Sequence, residues 1–208
     1  MRRRLGFTLV ELMLVIVLLG IMAISVTRYL EFGVGMYSQS TEVQHALQQG
    51  RFALERLSRE LRQSAPSSIR ITEDVANGVS CLEFVPVAQS GVYANLPLFP
   101  LRRDWMSVVS LDSAWSGQTG DRITVYPTDP SHIYQSSQLR TAILGTQNLD
   151  DGDSNVHTQQ VGLAPQAGLA ATFATESPQK RFYLLSQPVS YCRSGSQLYR
   201  YSNYGFQV

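Results

Sequence analysis

The sequence predicts an α+β fold: one long N-terminal α-helix, packed by its second half on a domain built around an antiparallel β-sheet. Three observations carry this. Residues 7–24 read FTLVELMLVIVLLGIMAI, apolar but for Glu11 and a few small polar positions. A helical period of apolar residues then continues as far as Leu61. Beyond Pro66 the pattern changes to short, β-rich pieces broken by turn residues. The chain has 208 residues, enough for about one domain and an appendage. Its 17 Lys+Arg against 16 Asp+Glu leave a net charge of +1, so there is no broad cationic surface for nucleic acid. Charged residues make up only 16% of the chain, below the share usual in soluble domains, while Ser, Gln, Thr, Asn and Gly supply the polar surface. That composition fits an extracytoplasmic protein.

The first element is the apolar helix. A run of this length spans or nearly spans a bilayer at about 1.5 Å per residue, and Arg2, Arg3 and Arg4 hold its N-terminus in the cytoplasm. Everything after it lies outside. A Sec signal peptide cut near Ala23-Ile24-Ser25 would use the same features, and so would a plain signal anchor. The anchor gives no reason for Glu11, however. A carboxylate in hydrocarbon costs roughly 2.5 to 3.5 kcal/mol on insertion scales and asks for a partner, yet no cation lies on its helical face.

Gly6-Phe7-Thr8-Leu9-Val10-Glu11, followed by a leucine- and isoleucine-rich helix, resembles the class III signal of type IV pilins and type II secretion pseudopilins. The resemblance implies cleavage between Gly6 and Phe7 by a prepilin peptidase, then N-methylation of Phe7. Glu11 becomes the fifth residue of the mature chain, and its carboxylate pairs with the N-terminal ammonium of a neighbouring subunit entering the filament. Two charges that are separately expensive in lipid neutralise each other only in the correct register, so the pair acts as an assembly checkpoint more than a source of net stability. Loss of the three leader arginines leaves 14 basic against 16 acidic side chains, a balance of −2.

The second half of the helix is amphipathic. Val43, Leu47, Gly50, Leu54, Leu57 and Leu61 recur at steps of four and three, with Ala46 and Ala53 widening the stripe. Glu42, Gln44, Gln48, Arg51, Glu55, Arg59 and Arg62 take the other face, where i,i+4 pairs such as Arg51 with Glu55 contribute a few tenths of a kcal/mol each. Pro66 ends the element. An unbroken helix from Phe7 to Ser64 would run about 87 Å, too long to be buried in one small domain. The join from Tyr29 to Thr41 contains Gly33, Gly35, Ser38 and Ser40, which predicts curvature or local melting there. Many major pilins carry a proline in the outer part of the membrane half; Arg28 stands about where it would fall, a departure that tells against a major subunit.

Seven segments read as strands: Ser68–Thr72, Val79–Val85, Met106–Leu111, Arg122–Tyr126, Arg181–Ser186, Val189–Arg193 and Gln197–Tyr201, with Arg193-Ser194-Gly195-Ser196 as a hairpin loop between the last two. Pro86–Pro100 and Gln147–Gln179 read as long loops, which in a compact domain carry a function or lie over the surface. Cys81 and Cys192 both fall in strands, 111 positions apart. A bridge in an oxidising periplasm would stabilise by about 4.7 kcal/mol on the chain-entropy model. Two buried thiols are the alternative, and the pair has no zinc-site spacing.

Two constellations remain. Asp151, Asp153 and Asn155 have the one-three-five spacing of a calcium loop, a weak metal candidate, because Val156 stands where glycine is wanted and Gly162 where a bidentate glutamate is wanted. A solvated turn is the alternative. His45, His132 and His157 belong to no G-x-S-x-G or HExxH pattern, so no enzyme activity, catalytic residue or cofactor is expected.

The segment Arg51–Arg62, with Arg181-Phe182-Tyr183-Leu184 through Pro188-Val189-Ser190-Tyr191-Cys192 to Leu198-Tyr199-Arg200-Tyr201, resembles the larger minor pilins and the pseudopilin J group. The firm part of the resemblance covers Arg4 to Ile71. It implies a low-copy subunit that joins a tip complex and primes polymerisation. Its partners would be other minor and major pilins, the prepilin peptidase, an inner-membrane assembly platform and membrane lipid. The expected organisation is a leader at 1–6, a transmembrane or filament-core helix at 7–30, an amphipathic helix at 31–65 and a periplasmic β-rich domain at 66–208. A type II secretion pseudopilin, or a tethered periplasmic binding module using Gln147–Gln179 as a recognition loop, are the alternatives.

Overall fold

The computed structural model describes residues 8–110, 115–135, 139–146, 158–166 and 168–207. The chain forms two compact units, Met1–Arg56 and Leu57–Val208. Helix α1, Leu9–Arg62, supplies the described structure of the first unit and the opening turns of the second.

The join at Tyr29–Thr41 is helical throughout, so the local melting expected there is not seen. Helix propagation adds one hydrogen bond per residue fixed, and two glycines at about 1 kcal/mol each do not interrupt a helix of 54 residues. Along the apolar stripe, Val43, Leu47 and Leu54 are each more than half exposed. The last two members, Leu57 and Leu61, are half-buried and pack on Phe84, Val189 and Tyr191.

The second unit holds two antiparallel sheets where the sequence suggested one. The smaller has the order β1 (Arg70–Asp74), β2 (Val79–Phe84), β9 (Val189–Ser194), β10 (Gln197–Ser202). The larger runs β6 (Thr141–Ile143), β5 (Arg122–Val125), β8 (Arg181–Leu185), β3 (Val87–Asn95), β4 (Trp105–Ser110), β7 (Thr158–Gly162). One four-residue helix, α2 (Ser131–Tyr134), packs Ile133 and Tyr134 against Ala65, Val85 and Leu185. The main core lies on the larger sheet: Met106, Val108, Ile123, Val125, Phe182 and Leu184 are fully buried, with Phe173 and Leu144 over them.

The two sheets share one bent ribbon. β2 pairs with β9 in the smaller sheet, ending at Phe84 opposite Val189, and β3 pairs with β8 in the larger, beginning at Val87 opposite Leu185. The corner falls at Val85-Pro86, and the chain just past α1 fills it. The Ala65 N–H donates to the Val85 carbonyl at 2.8 Å, and the Val87 N–H donates to the Gln63 carbonyl at 2.8 Å. Backbone groups that neither sheet satisfies at the bend are thereby paired.

The seven expected strands all form, with boundaries within two residues of those read from sequence. β9 and β10 meet at a turn where Gly195 has φ +58°, a conformation open to glycine. The expected loop Pro86–Pro100 instead contains β3. Gln89, Gly91 and Tyr93 are its inward residues, and a glutamine and a glycine at core positions hide the strand period. Gly91 is required there: a Cβ would overlap the Val109 carbonyl oxygen and lie 2.7 Å from Phe182 Cε1. β6 was not anticipated, and β7 occupies part of the second expected loop.

Candidate functional site

The N-terminal site is described from Thr8 onward. Gly6 and Phe7, the two residues of the expected cleavage and methylation, lie outside the described residues. Thr8 precedes the helix, and its Oγ1 accepts a hydrogen bond from the Glu11 backbone N–H at 3.3 Å. The first intrahelical bond follows, Leu12 N–H to the Thr8 carbonyl at 3.2 Å. Thr8 therefore caps α1, satisfying one of the four donors that a helix start leaves open. Thr8-Leu9-Val10-Glu11 has the capping-box spacing, and a carboxylate in the first turn also complements the helix dipole.

That local role was missed from the sequence, although the T-x-x-E spacing signals it. Among the described residues the Glu11 side chain makes no hydrogen bond or ion pair. Its helical neighbours toward the C-terminus are Leu14, Val15 and Leu18, all apolar. The cap uses the backbone of residue 11 and leaves its carboxylate without a counter-charged side chain among the described residues. From Leu9 to Ile24 the large apolar side chains are exposed, none below 42%. α1 is long and apolar enough to cross a membrane, a test that signal sequences also pass.

Cys81 and Cys192 are directly opposite one another on β2 and β9 and form a disulfide. The same face of the smaller sheet carries a polar cluster centred on Glu83, which is 8% exposed. Arg70 Nε donates to its Oε1 at 2.8 Å; Ser190 Oγ and Tyr204 Oη donate to its Oε2 at 3.1 and 2.8 Å. Arg70 stacks its guanidinium 3.8 Å above the Tyr134 ring and donates to the Gln207 carbonyl. Burial, with Glu83 nearby, pushes the Tyr204 phenol up to about 12 and Tyr134 higher still. Arg122, half-buried, donates to the Ile133 and Tyr134 carbonyls and lies over the Phe206 ring at 3.9 Å. These contacts tie the last residues of the chain across both sheets. They are structural: every polar atom of the Glu83 carboxylate is engaged within the protein.

On the opposite face Arg200 of β10 pairs with Glu60 of α1, Nε lying 3.2 Å from both carboxylate oxygens. Asp151, Asp153, Asn155 and His157 lie outside the described residues. His45 is exposed on α1, and His132 Nδ1 accepts the Thr128 backbone N–H. The Thr128 hydroxyl also lies 3.4 Å from His132 Nδ1.

Residues 1–27 match the prokaryotic N-terminal methylation motif. No curated protein and no solved structure matches the chain.

Proposed function

We propose that this chain, whose N-terminus is a type IV pilin-like prepilin signal and therefore a prepilin peptidase substrate, is a minor pilin. The pilus is of the mannose-sensitive haemagglutinin type and the subunit of the MshO kind, working in a tip complex that starts filament growth. Before assembly the helix from Phe7 to about Leu30 sits in the inner membrane and the β-rich domain faces the periplasm. Cleavage after Gly6 creates an amine on Phe7, and Glu11 supplies the carboxylate that a neighbouring subunit's amine meets. Other minor and major pilins, the assembly platform and lipid are the partners, and the protein acts by assembly with no covalent chemistry on a substrate.

The observation that carries this reading is Glu11, a carboxylate in the first turn of an otherwise apolar helix with no partner among the described residues. In lipid such a charge is costly unless answered. The test is the intact mass and N-terminal sequence of the protein recovered from membranes. A chain starting at N-methylated Phe7 supports the reading. One that retains Met1, or that starts beyond Ile24, overturns it. Deletion of the gene separates the filament types: loss of pili with secretion intact is expected, and the reverse result makes the chain a secretion pseudopilin.

A further inference from the structure

The turn between β1 and β2 carries a reactive dipeptide. Asp74 of β1 stands opposite Val79 of β2, and Val75-Ala76-Asn77-Gly78 crosses between them, each residue exposed. Of the five asparagines in the chain, only Asn77 precedes a glycine. That order matters chemically. The backbone nitrogen after an asparagine can attack the side-chain Cγ and close a cyclic imide, and a side chain on the attacking residue crowds the ring as it forms. Gly78 has none, and nothing lies within 4 Å of where its Cβ would stand. Its φ of +62° is a turn conformation that glycine adopts freely, so the hairpin itself keeps a glycine beside Asn77.

Hydrogen bonds set the state of both reacting groups. The Gly78 N–H, whose proton must leave before attack, reaches the Val75 carbonyl only at 3.4 Å, beyond the usual range, so little holds it. The Asn77 side chain is held more firmly. Its Nδ2 donates to Asp74 Oδ2 at 2.7 Å, and its backbone N–H donates to Asp74 Oδ1 at 3.2 Å. The side-chain amide first, and then the backbone N–H, keep the Asp74 carboxyl below the usual carboxylate range, so the acceptor stays ionised at neutral pH. Attack requires the carboxamide to turn from Asp74 toward the Gly78 nitrogen. We propose that Asn77-Gly78 is a site of spontaneous covalent self-modification, with Asp74 as the clasp that sets its rate. The deprotonated Gly78 nitrogen bonds to Asn77 Cγ, the Cγ–Nδ2 bond breaks, and Nδ2 leaves as ammonia with a proton returned from water. Water then opens the imide at either carbonyl, giving an aspartyl or an isoaspartyl linkage with no change of oxidation state. The product places a carboxylate where Nδ2 had donated, against Asp74 and beside Glu73. Like charges then meet at the turn, the bond that closed it is gone, and the isoaspartyl form also lengthens the backbone between β1 and β2.

The test ages the full chain in detergent at neutral and mildly alkaline pH, then reduces it, cuts it with trypsin and sequences the peptides by mass spectrometry. The peptide 71–102 holds both Asn77 and Asn95, so the second asparagine, which precedes a leucine, is an internal control. The expected result is amide-to-acid conversion at Asn77 that grows in proportion to hydroxide, with Asn95 unchanged. Asn77→Gln, whose longer side chain would have to close a larger ring, should stay unconverted. Asp74→Ala should raise the rate several-fold with the far-ultraviolet spectrum unchanged. In the aged chain, amide exchange in β1 should be faster than in the fresh one, beginning at the pair Asp74–Val79. No conversion at Asn77, or equal conversion at Asn95, overturns the site; an Asp74→Ala chain that converts at the unsubstituted rate overturns the clasp.

Discussion

Thr8 Oγ1 accepts the backbone N–H of Glu11 at 3.3 Å, so two residues of the N-terminal signal are also the first cap of the longest helix in the molecule. Glu11 thereby has two separable functions: a backbone N–H that starts the helix and a side-chain charge that looks outward. Glu11→Gln keeps the capping-box residue class and removes the charge. It should leave helix content unchanged by circular dichroism in micelles while filament recovery falls sharply. Thr8→Val should do the opposite, costing about 1 kcal/mol at the helix start with assembly largely retained. Full piliation with Glu11→Gln would refute the charge-pairing role.

Cys81→Ser with Cys192→Ser tests the bridge between β2 and β9. The chain between them is long, and reduction or double substitution should lower unfolding stability by up to about 4.7 kcal/mol on the chain-entropy model. Denaturant midpoints with and without reductant measure this; coincident midpoints would count against a structural bridge.

Tyr204 makes stability fall in alkali. Its phenol ionises near 10 in an unfolded chain and at about 12 in the folded one, so between those values the folded state holds a proton that the unfolded state has released. The contribution is complete below pH about 10 and declines as pH rises toward 12; Tyr134, also raised, adds with the same sign. Tyr204→Phe should cost about 1 kcal/mol at neutral pH, through the lost bond to Glu83, and flatten the alkaline decline. Urea midpoints at neutral and alkaline pH give both numbers.

Phe84→Ala should destabilise by about 3–5 kcal/mol, because the ring is fully buried, stacks on Tyr191 with centroids 6.3 Å apart, and forms the seat of Leu57 and Leu61. Loss of protease resistance at Leu57–Arg62 should accompany the drop. Gly91→Ala should cost more than the usual 1–3 kcal/mol of overpacking, since the obstructing atom is the Val109 backbone oxygen. A Gly91→Ala chain with wild-type stability would contradict the close strand approach.

Strands built from β-branched and aromatic residues were legible in the sequence because their apolar side chains alternate openly: SCLEFV, RITVY and RFYLL each declare a buried face. β3 was not, since its inward positions are Gln89, Gly91 and Tyr93, and only its cross-strand neighbours, the Val109 carbonyl and the Phe182 ring, explain the glycine. Likewise the helical stripe from Val43 to Leu61 was plain, but periodicity alone cannot say how much of a stripe is covered; Leu57 and Leu61 pack on Phe84, Val189 and Tyr191, whereas Val43, Leu47 and Leu54 are more than half exposed. Glu11 stood out by its charge, whereas Thr8, a common polar residue, did not.

At Val85-Pro86 the chain leaving α1 is bonded to the bend of the ribbon by Ala65 and Gln63, so tension drawn through the end of the helix enters both sheets together at that point. The load is carried in parallel by neighbouring backbone hydrogen bonds, and the Cys81–Cys192 link sets a limit on extension by removing the 111-residue span from the slack the chain could pay out.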